Sequence, residues 1–92
     1  MSSRPIYTVS QLTLEIKGLL EGHFAYLWVE GEISNMRLPS SGHLYFTLKD
    51  EQSQVRTVLF RSSQRHLKFT LQNGMQVICR GRVGVYEPRG EY

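Results

Sequence analysis

Residues 43–60 read HLYFTLKDEQSQVRTVLF, and this stretch decides the fold. Its first half alternates apolar and polar side chains, which is the period of a strand with one buried face. A short polar turn follows, and the alternation then resumes, so the stretch predicts an antiparallel hairpin. The predicted inward side chains of its first strand are Leu44, Phe46 and Leu48.

Upstream, apolar residues at three- and four-residue spacing predict a helix over residues 9–20 with one buried face. Thr8 and Gln11 have the spacing of a capping box, and Gly22 stands where such a helix ends.

The remaining elements follow from turn residues and alternation. A half-buried strand is predicted over residues 27–34, where Gly31 suits a bend or bulge, and a loop over 35–42. Ser62 and Ser63 can cap a short helix that runs to about residue 69, and a turn at Asn73-Gly74 precedes a long strand over 75–85.

The resulting order is a helix, three meandering strands, a short helix, a fourth strand and a turn at residues 87–90. This order predicts a mainly β fold of the α+β class, an OB-fold five-stranded antiparallel Greek-key barrel preceded by an N-terminal helix and lacking most of strand five. Residues 1–25 form a helical extension packed on the barrel in this interpretation, and 26–92 form the OB-fold domain. Another small antiparallel barrel, or an open sheet with helices on one side, remains the alternative.

Composition narrows the class of protein. A chain of 92 residues has room for one core, and a single cysteine, Cys79, can form no internal disulfide. No apolar run approaches the roughly 20 residues of a membrane span, and the N-terminus lacks the apolar core of a signal peptide. We therefore expect a cytoplasmic domain with no membrane association and no cofactor.

Charge is segregated along the chain. Residues 1–51 hold four basic and six acidic side chains, whereas residues 52–86 hold six basic and no acidic ones. Such a block suits a polyanion, because each neutralised phosphate releases counterions. A solvated basic surface is the alternative.

OB barrels bind through the outer face of strands two and three and through two flanking loops. An aromatic side chain among cations on that face is typical of single-strand binding, because a base stacks on the ring while the cations follow the backbone. The candidate nucleic-acid-binding residues are Arg37, His43, Tyr45, Lys49, Arg56, Phe60 and Arg89. Alternatively, Tyr45 and Phe60 cover a side of the barrel against a neighbouring domain.

Catalysis is not expected from these residues. The pairs Glu30/Glu32 and Asp50/Glu51 have no evident third ligand for a metal ion, and no nucleophile has a visible partner. We therefore predict no metal site and no catalytic residue in this chain.

Several motifs resemble, in order and spacing, the amino-terminal domain of the exodeoxyribonuclease VII large subunit. They are YTVSQL, WVEGEISN, PSSGHLYFTLKD, QVRTVLFR and VYEPRGEY, and the resemblance covers residues 6–92. Leu44 departs from the bulkier aromatic that members of that family often have after SGH.

The resemblance implies a domain that binds single-stranded DNA and presents it to a catalytic domain outside this chain, in a hydrolase that degrades single strands. It also implies a small helical subunit as a partner in the holoenzyme, bound outside these residues. Two alternatives are an RNA-binding OB domain of the anticodon-binding type and a non-catalytic protein-interaction module.

The predicted absence of most of strand five has its own consequence. Strands three and four would expose backbone donors and acceptors, and open edges pair with other chains. The sequence therefore predicts self-association of this chain, as a homo-oligomer or by strand exchange.

Overall fold

The computed structural model describes residues 5–85 and residue 91. Their helices and strands, in chain order, are α1 (Val9–His23), β1 (Leu27–Arg37), β2 (Leu44–Lys49), β3 (Gln54–Leu59), α2 (Arg61–Gln64) and β4 (Gln76–Gly81). The described residues fall into two compact units, one from 28–79 and one from 5–27, 80–85 and 91.

The strands form one sheet in the order β3-β2-β1-β4. The predicted succession of a leading helix, three strands, a short helix and a fourth strand is therefore found. Within the described residues β3 and β4 are the two edges, so the sheet is not closed into a barrel. The predicted turn at 87–90 lies outside the described residues, and self-association stays a prediction.

The core of the 28–79 unit lies on one face of the sheet. Ile33 is the most buried side chain at 1% exposure, and the inward set predicted for β2 is confirmed, with Leu44, Phe46 and Leu48 all buried. Half-buried apolar side chains pack against these four: Val29, Met36, Leu59, Leu71, Met75, Val77 and Cys79. Alternation in β2 thus separates the core from the opposite, outer face.

A β-bulge interrupts the pairing of β1 with β2. Ser34 pairs with Thr47 and Arg37 pairs with Tyr45, so three steps along β1 match two along β2. In a regular strand Ser34 and Arg37 would face opposite sides. The extra residue instead lets Met36 pack against the core while Arg37 lies opposite Tyr45 on the outer face.

Two features hold this bulge. Asn35 adopts a left-handed backbone with φ of 52°, which asparagine tolerates better than most residues. The Met36 N–H donates to Oδ1 of Asn73 at 3.0 Å, so the turn before β4 braces β1. β1 therefore continues to Arg37, beyond the predicted end at residue 34.

The bulge does not lie at Gly31, where the sequence suggested a bend. A Cβ at Gly31 would approach Cγ of Leu48 to 2.8 Å and the Lys49 carbonyl oxygen to 3.0 Å. Glycine at this position therefore permits the close approach of β2.

The unit formed by 5–27, 80–85 and 91 is built on α1. The predicted capping box is confirmed, since the Thr8 hydroxyl accepts from the Gln11 N–H and the Gln11 side chain accepts from the Thr8 N–H. The helix continues through Gly22 to His23, and none of its residues is buried, so the buried face expected from its periodicity is not seen. The packing of residues 1–25 on the barrel stays a prediction.

Both later elements are shorter than predicted. α2 ends at Gln64, and Phe60 is its N-cap without a side-chain hydrogen bond, so neither serine caps it. β4 ends at Gly81, and the N–H of Val83 donates instead to the Phe24 carbonyl beyond α1. No helix among the described residues is long and apolar enough to span a membrane.

Gly31→Ala should lower the free energy of unfolding by about 1–3 kcal/mol, because the added methyl group overpacks against Leu48 and the β2 backbone. Gly18→Ala is the control, since nothing beyond the neighbouring backbone of its own helix lies within 4 Å of its Cβ position and a helical alanine is worth about 1 kcal/mol more than glycine. Urea denaturation followed by circular dichroism compares them. Equal midpoints for wild type and Gly31→Ala would contradict the close approach.

Asn35→Val should destabilise the protein by about 1–2 kcal/mol relative to Asn35→Gly, because a β-branched side chain disfavours the left-handed backbone of the bulge. The same denaturation measurement tests it. If the two variants unfold together, Asn35 does not hold a left-handed conformation in solution.

Candidate nucleic-acid interface

The outer face of β2 and β3 carries three of the predicted site residues. Tyr45 pairs with Val58, Thr47 with Arg56 and Lys49 with Gln54, and paired residues share a face. Tyr45 and Arg56 are diagonal neighbours, a relation in which Cα atoms lie about 7–8 Å apart. The predicted grouping of an aromatic ring with a cation on the paired strands is therefore found.

Arg37 joins this face from β1. Its Cζ lies 6.0 Å from the centroid of the Tyr45 ring, which is the outer limit of a cation–π contact. Arg37 was predicted in the loop after β1 but is the last residue of the strand, because the bulge extends the pairing.

Arg37 and Tyr45 line an open cleft of about 520 Å³ together with Leu38 and Pro39. Sequence reasoning did not single out these two neighbours. Leu38 is 65% exposed, and an exposed leucine beside proline in a loop next to the predicted face is the signal that could have found them. The cleft has the mixed character of a base-binding surface, with an aromatic ring, apolar walls and a cation.

His43 and Phe60 contact each other at the start of β2. Their rings meet edge to face with centroids 5.5 Å apart, and Nδ1 of His43 accepts a hydrogen bond from the Arg61 N–H at 3.1 Å. His43 thereby connects the start of β2 to α2. Phe60 is 54% exposed and still presents part of its ring to solvent.

The same junction fixes the end of the loop between β1 and β2. Nε2 of Gln64 donates to the carbonyl of Gly42 at 2.7 Å and to that of Leu59 at 3.1 Å. Gly42 itself has φ of 83°, a conformation that favours glycine. One end of the loop is therefore anchored by α2, and the other by the Met36–Asn73 hydrogen bond.

The hairpin end of the face is acidic. Nζ of Lys49 lies 3.6 Å from Oε2 of Glu32, its partner on β1, in an ion pair whose side chains are 42% and 46% exposed. A cleft of about 630 Å³ opens there, lined by Glu32, Lys49, Asp50, Glu51, Gln52 and Gln76. Carboxylates around a single lysine do not suit a phosphate backbone.

Asp50 stabilises the turn between β2 and β3. Its Oδ1 accepts hydrogen bonds from the backbone N–H groups of Gln52 and Ser53, both at 2.8 Å. These bonds favour the ionised form and hold the pKa of the Asp50 carboxyl below its usual value. Asp50 thus forms the hairpin turn, as the acidic residues of turns commonly do.

The described part of the chain contains no cluster of three or more histidine, cysteine, aspartate or glutamate residues that could hold a metal ion. Cys79 lies half-buried against the core, and burial raises the pKa of its thiol. Arg89 lies outside the described residues. Of the predicted site residues, the structure brings together Arg37 with Tyr45 and His43 with Phe60, sets Arg56 diagonal to Tyr45, and pairs Lys49 with Glu32.

Comparison with known proteins agrees with this architecture. A family model described as an OB-fold nucleic acid binding domain matches residues 7–92. The chain is 59% identical over 91 residues to the exodeoxyribonuclease 7 large subunit of Geobacter sulfurreducens, covering 99% of this chain and 20% of that protein. It is 52% identical over 92 residues to the large subunit of Thioalkalivibrio sulfidiphilus, covering 100% of this chain and 21% of the relative.

The chain thus spans about a fifth of the length of the curated relatives it matches. The resemblance to the exodeoxyribonuclease VII large subunit is confirmed over the whole chain. With its strand order, its short helix between β3 and β4 and its family match, the chain belongs to the family of OB-fold nucleic-acid-binding domains.

Proposed function

We propose that this chain binds single-stranded DNA for an exodeoxyribonuclease VII large subunit and presents it to a catalytic domain outside residues 1–92. The observation that carries the proposal is the pairing of Arg37 with Tyr45 on the outer face of the sheet, beside a cleft with apolar walls. Unpaired bases can enter such a cleft, whereas the bases of a duplex are stacked inside the helix.

In the proposed complex a base stacks on Tyr45 and contacts Leu38 and Pro39. Arg37 holds the ring only weakly at 6.0 Å, so its guanidinium can turn to a phosphate at little cost. Arg56 lies diagonal to Tyr45 and supplies a second cation for the backbone.

The distribution of charge on the outer face suggests the path of the bound nucleic acid. Glu32, Asp50 and Glu51 surround the hairpin end, whereas Arg37 and Tyr45 lie at the end next to the β1–β2 loop. A polyanion is repelled by the first region and attracted by the second. We therefore propose that the single-stranded DNA crosses the sheet near the β1–β2 loop, with Lys49 at the margin of the site.

The name of the relatives supports DNA over RNA as the ligand, because they are called exodeoxyribonucleases. The substrate of the parent enzyme, its hydrolysis of single strands and its small-subunit partner are proposals on the same ground. That small subunit would bind outside this chain.

Tyr45→Ala should weaken binding of single-stranded DNA by about 1–3 kcal/mol, the loss expected for one stacked base. Tyr45→Phe is the control, since it keeps the ring and should bind nearly as well as wild type. Fluorescence anisotropy with labelled single-stranded DNA, single-stranded RNA and duplex DNA of equal length measures the effect. Tighter binding of RNA would favour the anticodon-binding type, and no binding of any of the three would favour a protein-interaction module.

The charges make a separate prediction about salt dependence. Arg56→Ala should make the plot of log K against log salt concentration shallower by roughly 0.7, the value for one lost phosphate contact on a single strand. Lys49→Ala should change this slope less, because Glu32 already neutralises the lysine. Glu32→Gln should tighten binding by removing a negative charge and releasing Lys49.

The anisotropy titration repeated at several salt concentrations gives all three slopes. An unchanged slope for Arg56→Ala would mean that no phosphate contacts this arginine. If Glu32→Gln binds single-stranded DNA with the same affinity as wild type, the charges at the hairpin end do not influence the site.

A further inference from the structure

A second aromatic–cation pair lies in the unit built on α1. Cζ of Arg80 lies 5.8 Å from the centroid of the Tyr26 ring, within cation–π range. Tyr26 is 82% exposed, and Arg80 and Arg82 are also exposed. This pair is separate from the Arg37–Tyr45 pair, which belongs to the 28–79 unit.

The backbone around Tyr26 is anchored. The Phe24 N–H donates to the Leu20 carbonyl at 2.8 Å, and the Phe24 carbonyl accepts from the Val83 N–H at 3.1 Å. The Val85 N–H donates to Oε2 of Glu21 at 3.2 Å. Two hydrogen bonds thus tie the segment after β4 to the end of α1, so that Arg80 and Tyr26 are held in one local framework.

We propose that Tyr26, Arg80 and Arg82 form a second contact site for single-stranded nucleic acid. An exposed ring next to a guanidinium offers stacking to a base, and two neighbouring arginines offer charge to phosphates. The class of ligand rests on the proposed function, whereas the location rests on the geometry of this unit alone. A single-stranded nucleic acid bound at Tyr45 is flexible, so one that is long enough to span both sites reaches the second site at high effective concentration.

The length of a single-stranded DNA probe distinguishes binding at one site from binding at both. One OB fold covers roughly 4–16 nucleotides, so an oligothymidylate of about 5 nucleotides engages one site and one of about 30 nucleotides can engage both. Tyr26→Ala and Arg80→Ala should weaken binding of the long strand by about 5-fold or more, the lower end for one stacked base, while leaving the short strand within about 2-fold. Tyr45→Ala should weaken both.

Tyr7→Ala is the matched control, because Tyr7 is a 48% exposed tyrosine of the same unit that bonds to the Glu15 carboxylate instead of an arginine. It should leave both affinities unchanged. Photocrosslinking of a long strand containing 5-iodouracil provides a direct readout, with a crosslink expected at Tyr26 in the wild type.

Equal affinities of wild type, Tyr26→Ala and Arg80→Ala for the long strand would overturn the second site. A comparable loss with the short strand would also overturn it, because Tyr26 would then belong to the first site. If Tyr45→Ala changes nothing while Tyr26→Ala weakens the long strand, the second site stands and the proposed outer-face site fails.

Discussion

The extra residue in β1 between Ser34 and Arg37 is the constraint on which the candidate site depends. A strand without it would bring Met36 opposite Tyr45 on the outer face and turn Arg37 towards the core. A long thioether side chain would then lie in the cleft, and a guanidinium would be buried without a partner, at high energetic cost. One residue in the left-handed conformation, Asn35, thus decides both the packing of the core and the charge of the outer face.

The hydrogen bonds that stabilise this bulge come from residues far away in the sequence. Asn73 precedes β4 and accepts from Met36, and the same turn exchanges hydrogen bonds with Ile33, whose N–H donates to the Met75 carbonyl and whose carbonyl accepts from the Gly74 N–H. The most buried residue of the core and the strand end that carries Arg37 are therefore held by one turn. Stability of the core and geometry of the cleft are coupled through it.

The sequence could predict the features that depend only on local spacing. The buried face of β2 follows from strict alternation, because a period of two is imposed by the pleat itself and needs no knowledge of the partner strand. The capping box of α1 is equally local, since Thr8 and Gln11 are three residues apart. The positions of Tyr45 and Arg56 on the outer face of the two paired strands follow from the hairpin alone.

The incorrect boundaries have non-local causes. Arg37 belongs to β1 because the bulge extends the pairing with β2. The hydrogen bond that supports the bulge joins Met36 to Asn73, 37 positions away in the chain, and no local pattern indicates it. β4 stops early where Val83 bonds to Phe24, and the Arg80–Tyr26 pair likewise joins residues far apart in sequence. The ion pair in which Glu32 offsets the charge of Lys49 depends on the register of β1 against β2. The bulge alters this register only beyond Ser34.

The half-buried thiol of Cys79 has a practical consequence. Its side chain packs against the core, and burial raises its pKa, so the neutral thiol dominates at physiological pH and reacts slowly with alkylating reagents. Loss of the packing around β4 would expose the thiol further and bring its pKa back towards the usual value, and both changes speed modification. The rate at which a reagent labels this single cysteine therefore responds to local loosening of the edge strand, with no engineered probe and no change to the outer face.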